Sequence, residues 1–86
     1  MILAQVKGSL VSTSKNEKLV GYKLMVVQAI ENDKLTDQFL IAVDGVGAGI
    51  GEKVLVACGS AARLGIGNPE APVDAAIVGI VDEKQG

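Results

Sequence analysis

Residues 44–63 read DGVGAGIGEKVLVACGSAAR, with glycines at alternate positions 45, 47, 49 and 51, then a valine-rich run, then a short polar turn. This stretch separates two folds. A dinucleotide-binding α/β unit needs G-x-G-x-x-G between a strand and a helix, because the third glycine lets the helix pack while its N-terminus meets the pyrophosphate. Here the third position of every register falls on Ile50, Glu52 or Val54, and the residues that follow are β-prone. A P-loop requires Gly-Lys-Ser/Thr, whereas Gly51 precedes Glu52. The glycines are therefore expected to supply positive φ and close backbone approach in a wide connection between two strands. A glycine-lined loop also suits a tight subunit interface or a narrow pore.

Outward from this loop, the chain reads as strands. In Ile2 to Leu10, Ile2, Ala4, Val6, Gly8 and Leu10 fall on one face and Leu3, Gln5, Lys7 and Ser9 on the other, the alternation of a half-buried strand. After the polar loop STSKNEK, the segment GYKLMVVQAI is apolar on both faces and ends in ENDK, a turn composition, with DQFLIAV as the returning strand of a hairpin. EKVLVAC is a fourth strand and DAAIVGIV a fifth. Between these two, Ser60 is expected to N-cap one helical turn through Arg63 and Leu64, and Gly65 to end it. The two prolines beyond forbid a long helix. The expected fold is all-β: one small five-stranded, OB-like Greek-key β-barrel over residues 1–86, with one short helical turn before the last strand.

Composition narrows the function. Of the 86 residues 49% are apolar, but only Tyr22 and Phe39 are aromatic, so the core must be built from Val, Ile, Leu and Ala, with both aromatics expected in it. A chain this short buries only roughly 60–65% of its unfolded surface, so aliphatic surface is left over for packing against copies of itself. The net charge is −2 and the eight basic residues are scattered singly. That argues against nucleic acid and membrane as partners. The N-terminus lacks the pattern of a signal peptide and the apolar runs are too short to span a bilayer, so a cytoplasmic location is expected.

Catalytic equipment is missing. The sequence has no histidine, and Cys58, its one cysteine, lacks an activating base and is expected to be a buried strand-end residue. Asp44, Glu52, Asp74 and Asp82 sit at strand ends, where turn and solvation roles suffice, and no D-x-D-x-D-G metal loop is present. No enzyme activity, cofactor or metal is expected. Arg63, the one arginine, closes the GSAAR turn; a solvated role and an interface or pore-lining role both stay open, given the fit of its planar fork to carbonyls and carboxylates.

The blocks MILAQVKGSLVST, LVGYKLMVVQ, VDGVGAGIGEKVLVACGSAAR and NPEAPVDAAIVGIVD together resemble the pentameric vertex proteins of bacterial microcompartment shells, the subunits of carboxysomes and of ethanolamine- and propanediol-utilisation compartments. The specific signature is V-G-A-G-x-G-E-x-V-L-V-x-x-G-S-x-A-R followed by P-V-D-A. The resemblance implies a homopentamer, with a hexamer left open, that caps the vertices of a polyhedral shell alongside hexagonal tile proteins. It also implies that Gly47, Gly49, Gly51, Gly59, Ser60, Ala61, Ala62, Arg63 and Asp74 lie at a subunit interface or pore, with the Gly59 to Arg63 turn near the five-fold axis. The alternative is a small OB-like module binding single-stranded nucleic acid or an oligosaccharide, which needs exposed aromatics and a basic groove that composition does not supply.

Overall fold

The computed structural model describes residues 1–10, 19 and 21–82; the STSKNEK loop and the last four residues lie outside the described residues. The strands are β1 (Ile2–Leu10), β2 (Lys23–Glu31), β3 (Lys34–Asp44), β4 (Lys53–Cys58) and β5 (Ala75–Ile80), with a short helix α1 (Ser60–Gly65) before the last. They close in the order β1-β2-β3-β5-β4. Every pairing is antiparallel except that of β3 with β5. This is the expected five-stranded Greek-key barrel.

The hairpin joining β2 to β3 turns on Asn32 and Asp33 alone, at φ 52 and 63. Such a two-residue turn, with positive φ at both positions, matches the twist of the flanking strands. Pairing therefore resumes at once, with Glu31 opposite Lys34. For this reason β3 starts three residues earlier than DQFLIAV suggests.

The barrel interior is aliphatic: Met25, Ile77, Val6, Val27, Val54 and Val56 are its largest fully buried side chains, with Ala4 and Ala42 among them. A lumen this narrow has no place for a ring. Phe39 accordingly points outward and is 56% exposed, against the core position expected of it, while its neighbours Leu40 and Ala42 pack inward. Tyr22 is half-buried against a second, smaller cluster of Val43, Ala71 and Val73, where its hydroxyl accepts a hydrogen bond from Asn68 Nδ2 at 3.4 Å. That cluster lies outside the barrel, beneath the segment that follows α1.

Two further expectations are corrected. The alternation of β1 breaks at a bulge between Val6 and Gly8, so Leu10 leaves the core face and is 43% exposed. Cys58 is exposed, since it ends β4 where the chain turns away at Gly59, φ 62.

Candidate functional site

The glycine loop is built around the carboxylate that ends β3. Asp44 Oδ1 accepts from the backbone N–H of Val46 and of Gly47, each at 3.0 Å, and Oδ2 accepts from that of Ala48 at 2.8 Å. The N–H of Gly49 donates to Glu52 Oε1 at 2.5 Å. Four successive amides that would cradle an anion are thus already held by the chain's own carboxylates. A phosphate would have to displace both of them against its own charge, which closes the question raised by the glycines.

Beyond Gly49 the loop is tied to β1. Gly51 N donates to Val6 O at 2.8 Å, Val6 N to Glu52 O at 2.9 Å, and Gln5 Nε2 to Gly51 O at 3.1 Å. Ala48, 2% exposed, drops into the barrel core. The glycines divide the work. Gly47 and Gly51 take φ of 80 and 91, which only glycine adopts at little cost. Gly45 instead permits close approach: its N–H donates to Ile77 O at 3.2 Å, and a Cβ there would lie 3.1 Å from that oxygen. Gly49 has no positive φ, so a strain cost at that position is not expected. The loop presents outward two apolar side chains, Val46 at 42% and Ile50 at 69% exposure, beside the exposed Glu52.

The second group of candidates lies on and around α1. Gly59, not Ser60, is the N-cap residue, and no side chain caps the helix. Ser60 is the first helical residue and is exposed. Gly59 N donates to Asp74 O at 2.8 Å, and Arg63 Nη1 donates to Val73 O at 3.0 Å, so both ends of this turn are fastened to the segment leading into β5. Arg63 therefore makes an intrachain contact to a carbonyl. Ala62 is fully buried and Ala61 is exposed. Gly65 is the last helical residue, as expected, but it is not a left-handed cap: it has no positive φ, and Ile66 is the C-cap residue. Its lack of a side chain matters for another reason, since a Cβ would sit 2.5 Å from Val78 Cγ1 of β5.

The nine candidates thus fall into two groups. Gly47, Gly49 and Gly51 hold the loop that spans β3 and β4; Gly59 to Arg63 and Asp74 form the joint between α1 and β5. Outside these nine, the apolar side chains of Phe39, Ile41, Leu55, Leu64 and Ile80 point outward, each exposed by 37% or more. For the four in strands, the sequence signal is a strand apolar on both faces; Leu64 lies on α1.

Among the described residues no three His, Cys, Asp or Glu side chains gather to hold a metal ion, and no helix is long and apolar enough to cross a membrane. The chemistry on offer is that of surfaces.

Comparison with known proteins points the same way. Residues 1–82 match the family model described as ethanolamine utilisation protein EutN/carboxysome. The chain is 51% identical over 83 residues to the bacterial microcompartment shell vertex protein GrpN of Rhodospirillum rubrum (strain F11), covering 95% of this chain and 93% of that one. It is 49% identical to the carboxysome shell vertex protein CcmL of Synechocystis sp., over 95% of this chain and 83% of that one. Among solved structures, the Rhodospirillum rubrum GrpN pentameric microcompartment shell protein superposes with a TM-score of 0.88 at 46% identity, covering 100% of this chain and 99% of that one. None of these relatives is named as a nucleic-acid or oligosaccharide binder, and the alternative reading has no support.

Proposed function

The chain belongs to the ethanolamine utilisation EutN/carboxysome family of shell vertex proteins, and on that premise we propose that five copies close into a ring that caps the vertices of a bacterial microcompartment shell in the cytoplasm. It is a structural protein and not an enzyme, as its relatives are. Flat layers of hexagonal tiles cannot close on themselves, and five-fold units introduce the curvature that a polyhedron needs. The partners are thus copies of this chain within the ring and tile proteins around it.

The observation that carries this function is the apolar surface that one barrel leaves uncovered: Ile50 and Leu64 at 69% exposure, Phe39 at 56% and Ile41 at 51%. Single exposed aliphatics are ordinary, but this many on so small a chain mark surfaces covered in the working assembly. A five-membered ring cannot use a self-complementary contact; each copy must offer two unlike surfaces, head to tail. In this ring the Gly59 to Arg63 turn lies near the five-fold axis, and Gly47, Gly49, Gly51 and Asp74 lie at a subunit interface or pore.

Co-expression with a set of hexagonal tile proteins tests the function. Closed polyhedra are expected in electron micrographs when this chain is present, and open sheets or tubes when it is omitted. Closed shells of the same size and number without it would overturn the proposal.

A further inference from the structure

The geometry points to the peptide of Asp44 and Gly45 as a covalent modification site that the fold keeps shut. Its chemistry leads to isoaspartate, and closure of the seam between β3 and β5 holds that reaction off. The inference concerns the single chain and goes beyond the ring proposed above, whose failure would leave it standing.

The only reagent is water. The backbone nitrogen that follows an aspartate attacks the side-chain carboxyl carbon. An N–Cγ bond forms, the carboxyl hydroxyl leaves with the amide proton as water, and a five-membered imide results. Water then adds back. Breaking the Cγ–N bond restores aspartate, whereas breaking the bond from nitrogen to the backbone carbonyl carbon sends the chain through Cγ and frees the α-carboxylate. The mass is unchanged and nothing is oxidised or reduced. Glycine in the second place favours the attack, because no Cβ crowds the nitrogen and the backbone turns freely. In the whole sequence Asp44 is the one aspartate followed by glycine, and no asparagine is.

In the closed barrel both reacting groups are engaged elsewhere. The attacking nitrogen, that of Gly45, donates to Ile77 O at 3.2 Å. The carboxylate accepts from the amides of Val46, Gly47 and Ala48. Asp44 also ends β3, opposite Lys23 on one side and Ile77 on the other. The extended ψ of a strand is far from the turned backbone that brings the nitrogen onto Cγ. Nor is there slack at Gly45, where a Cβ would lie 3.1 Å from Ile77 O and 3.4 Å from Ile66 Cγ2.

These holds depend on the shortest strand pairing in the barrel. β3 meets β5 only through Val43 with Ala76 and Asp44 with Ile77, and in parallel, the less stable arrangement per residue. Beside the seam, Val43 packs with Ala71 and Val73 outside the barrel interior. β5 keeps its longer pairing with β4, from Val54 to Cys58, when the seam parts. Opening there is a local event that frees the Gly45 nitrogen and lets the end of β3 turn.

The product cannot rebuild the loop. Isomerisation adds one carbon to the backbone path at Asp44 and leaves a carboxylate one carbon shorter where three amides are now held. Ala48 then loses the acceptor that fixes it over the core. An open or unfolded copy that reacts is retired from the folded pool, and a closed copy is preserved.

The test incubates the native protein and the same chain in concentrated urea, at neutral pH and physiological temperature. Trypsin cleavage after Lys34 and Lys53 releases residues 35–53. Isoaspartate at position 44 appears there as a second peak of unchanged mass, placed by electron-transfer fragmentation, with Asp37 in the same peptide as control. Unfolded chain should accumulate it at position 44 and far less at 37, and Gly45→Ala in urea should slow it severalfold. The native rate should be lower by at least about tenfold, the reaction being limited to the open fraction. Val73→Ser loosens the cluster beside the seam and should give a rate between these two while the far-UV circular dichroism stays native; if that variant does not fold, Val73→Ala applies the same test more gently. No isoaspartate at position 44 in urea would overturn the site. Equal rates in native and unfolded chain would overturn the protection, and a folded Val73 variant no faster than wild type would overturn the seam as its gate.

Discussion

Asp44→Ala removes the acceptor of three backbone N–H groups in one step. Two of them, on Val46 and Gly47, belong to exposed residues, where water replaces the lost oxygen. Each of those losses costs about 0.5–1 kcal/mol. The third, on Ala48, lies in a residue 2% exposed whose methyl group fills the barrel core. Leaving that donor unpaired costs about 1–3 kcal/mol. The expected loss is about 2–5 kcal/mol, which for a domain of this size lowers the melting temperature by at least about 8 °C. Asp44→Asn keeps one oxygen but turns an amide N–H toward that of Ala48, so its loss should lie between wild type and alanine. Urea unfolding followed by far-UV circular dichroism measures all three proteins, at matched subunit concentration because association adds to apparent stability. An alanine variant within about 0.5 kcal/mol of wild type would refute the role given to this carboxylate.

The glycines should behave unequally. Gly47→Val puts a branched side chain at φ 80 and should cost about 1–2 kcal/mol or more, whereas Gly49→Val meets only Glu52 Oε1, 3.3 Å from its Cβ, and should cost less; thermal melts of the pair decide the order. Gly65→Ala gains helix propensity of up to about 1 kcal/mol but drives a methyl into Val78, so a net loss is expected that Val78→Ala in the same chain restores; an uncompensated double variant would remove the packing explanation. Arg63→Ala breaks the bond to Val73 O and should raise proteolytic cutting in residues 66–73 and weaken the ring while the barrel stays folded; unchanged oligomer mass would remove Arg63 from the contact.

The five strands were legible because each is a run of β-branched and aliphatic residues bounded by turn chemistry, and Asn32-Asp33 carries its turn type in its residues. The facing of those strands was harder to read. In DQFLIAV both alternating sets are apolar, so the pattern does not say which is inside; the narrow lumen, a property of the closed barrel, chose Leu40 and Ala42 over Phe39. The bulge at Val6/Gly8 left no signal beyond the glycine itself, and it moved Leu10 out of the core. At the candidate site, an aspartate before glycine announced a turn, but its three amide contacts depend on the path of the whole loop. Gly65 reads as a helix stop by position, and only the distant Val78 shows why a side chain is forbidden there. Contacts between elements far apart in sequence are what the chain alone does not display.

The most direct test of the central claim is native mass spectrometry of the unmodified protein at low micromolar subunit concentration. A dominant species of five subunits is the predicted result. A monomer, or a ring of six, would contradict it.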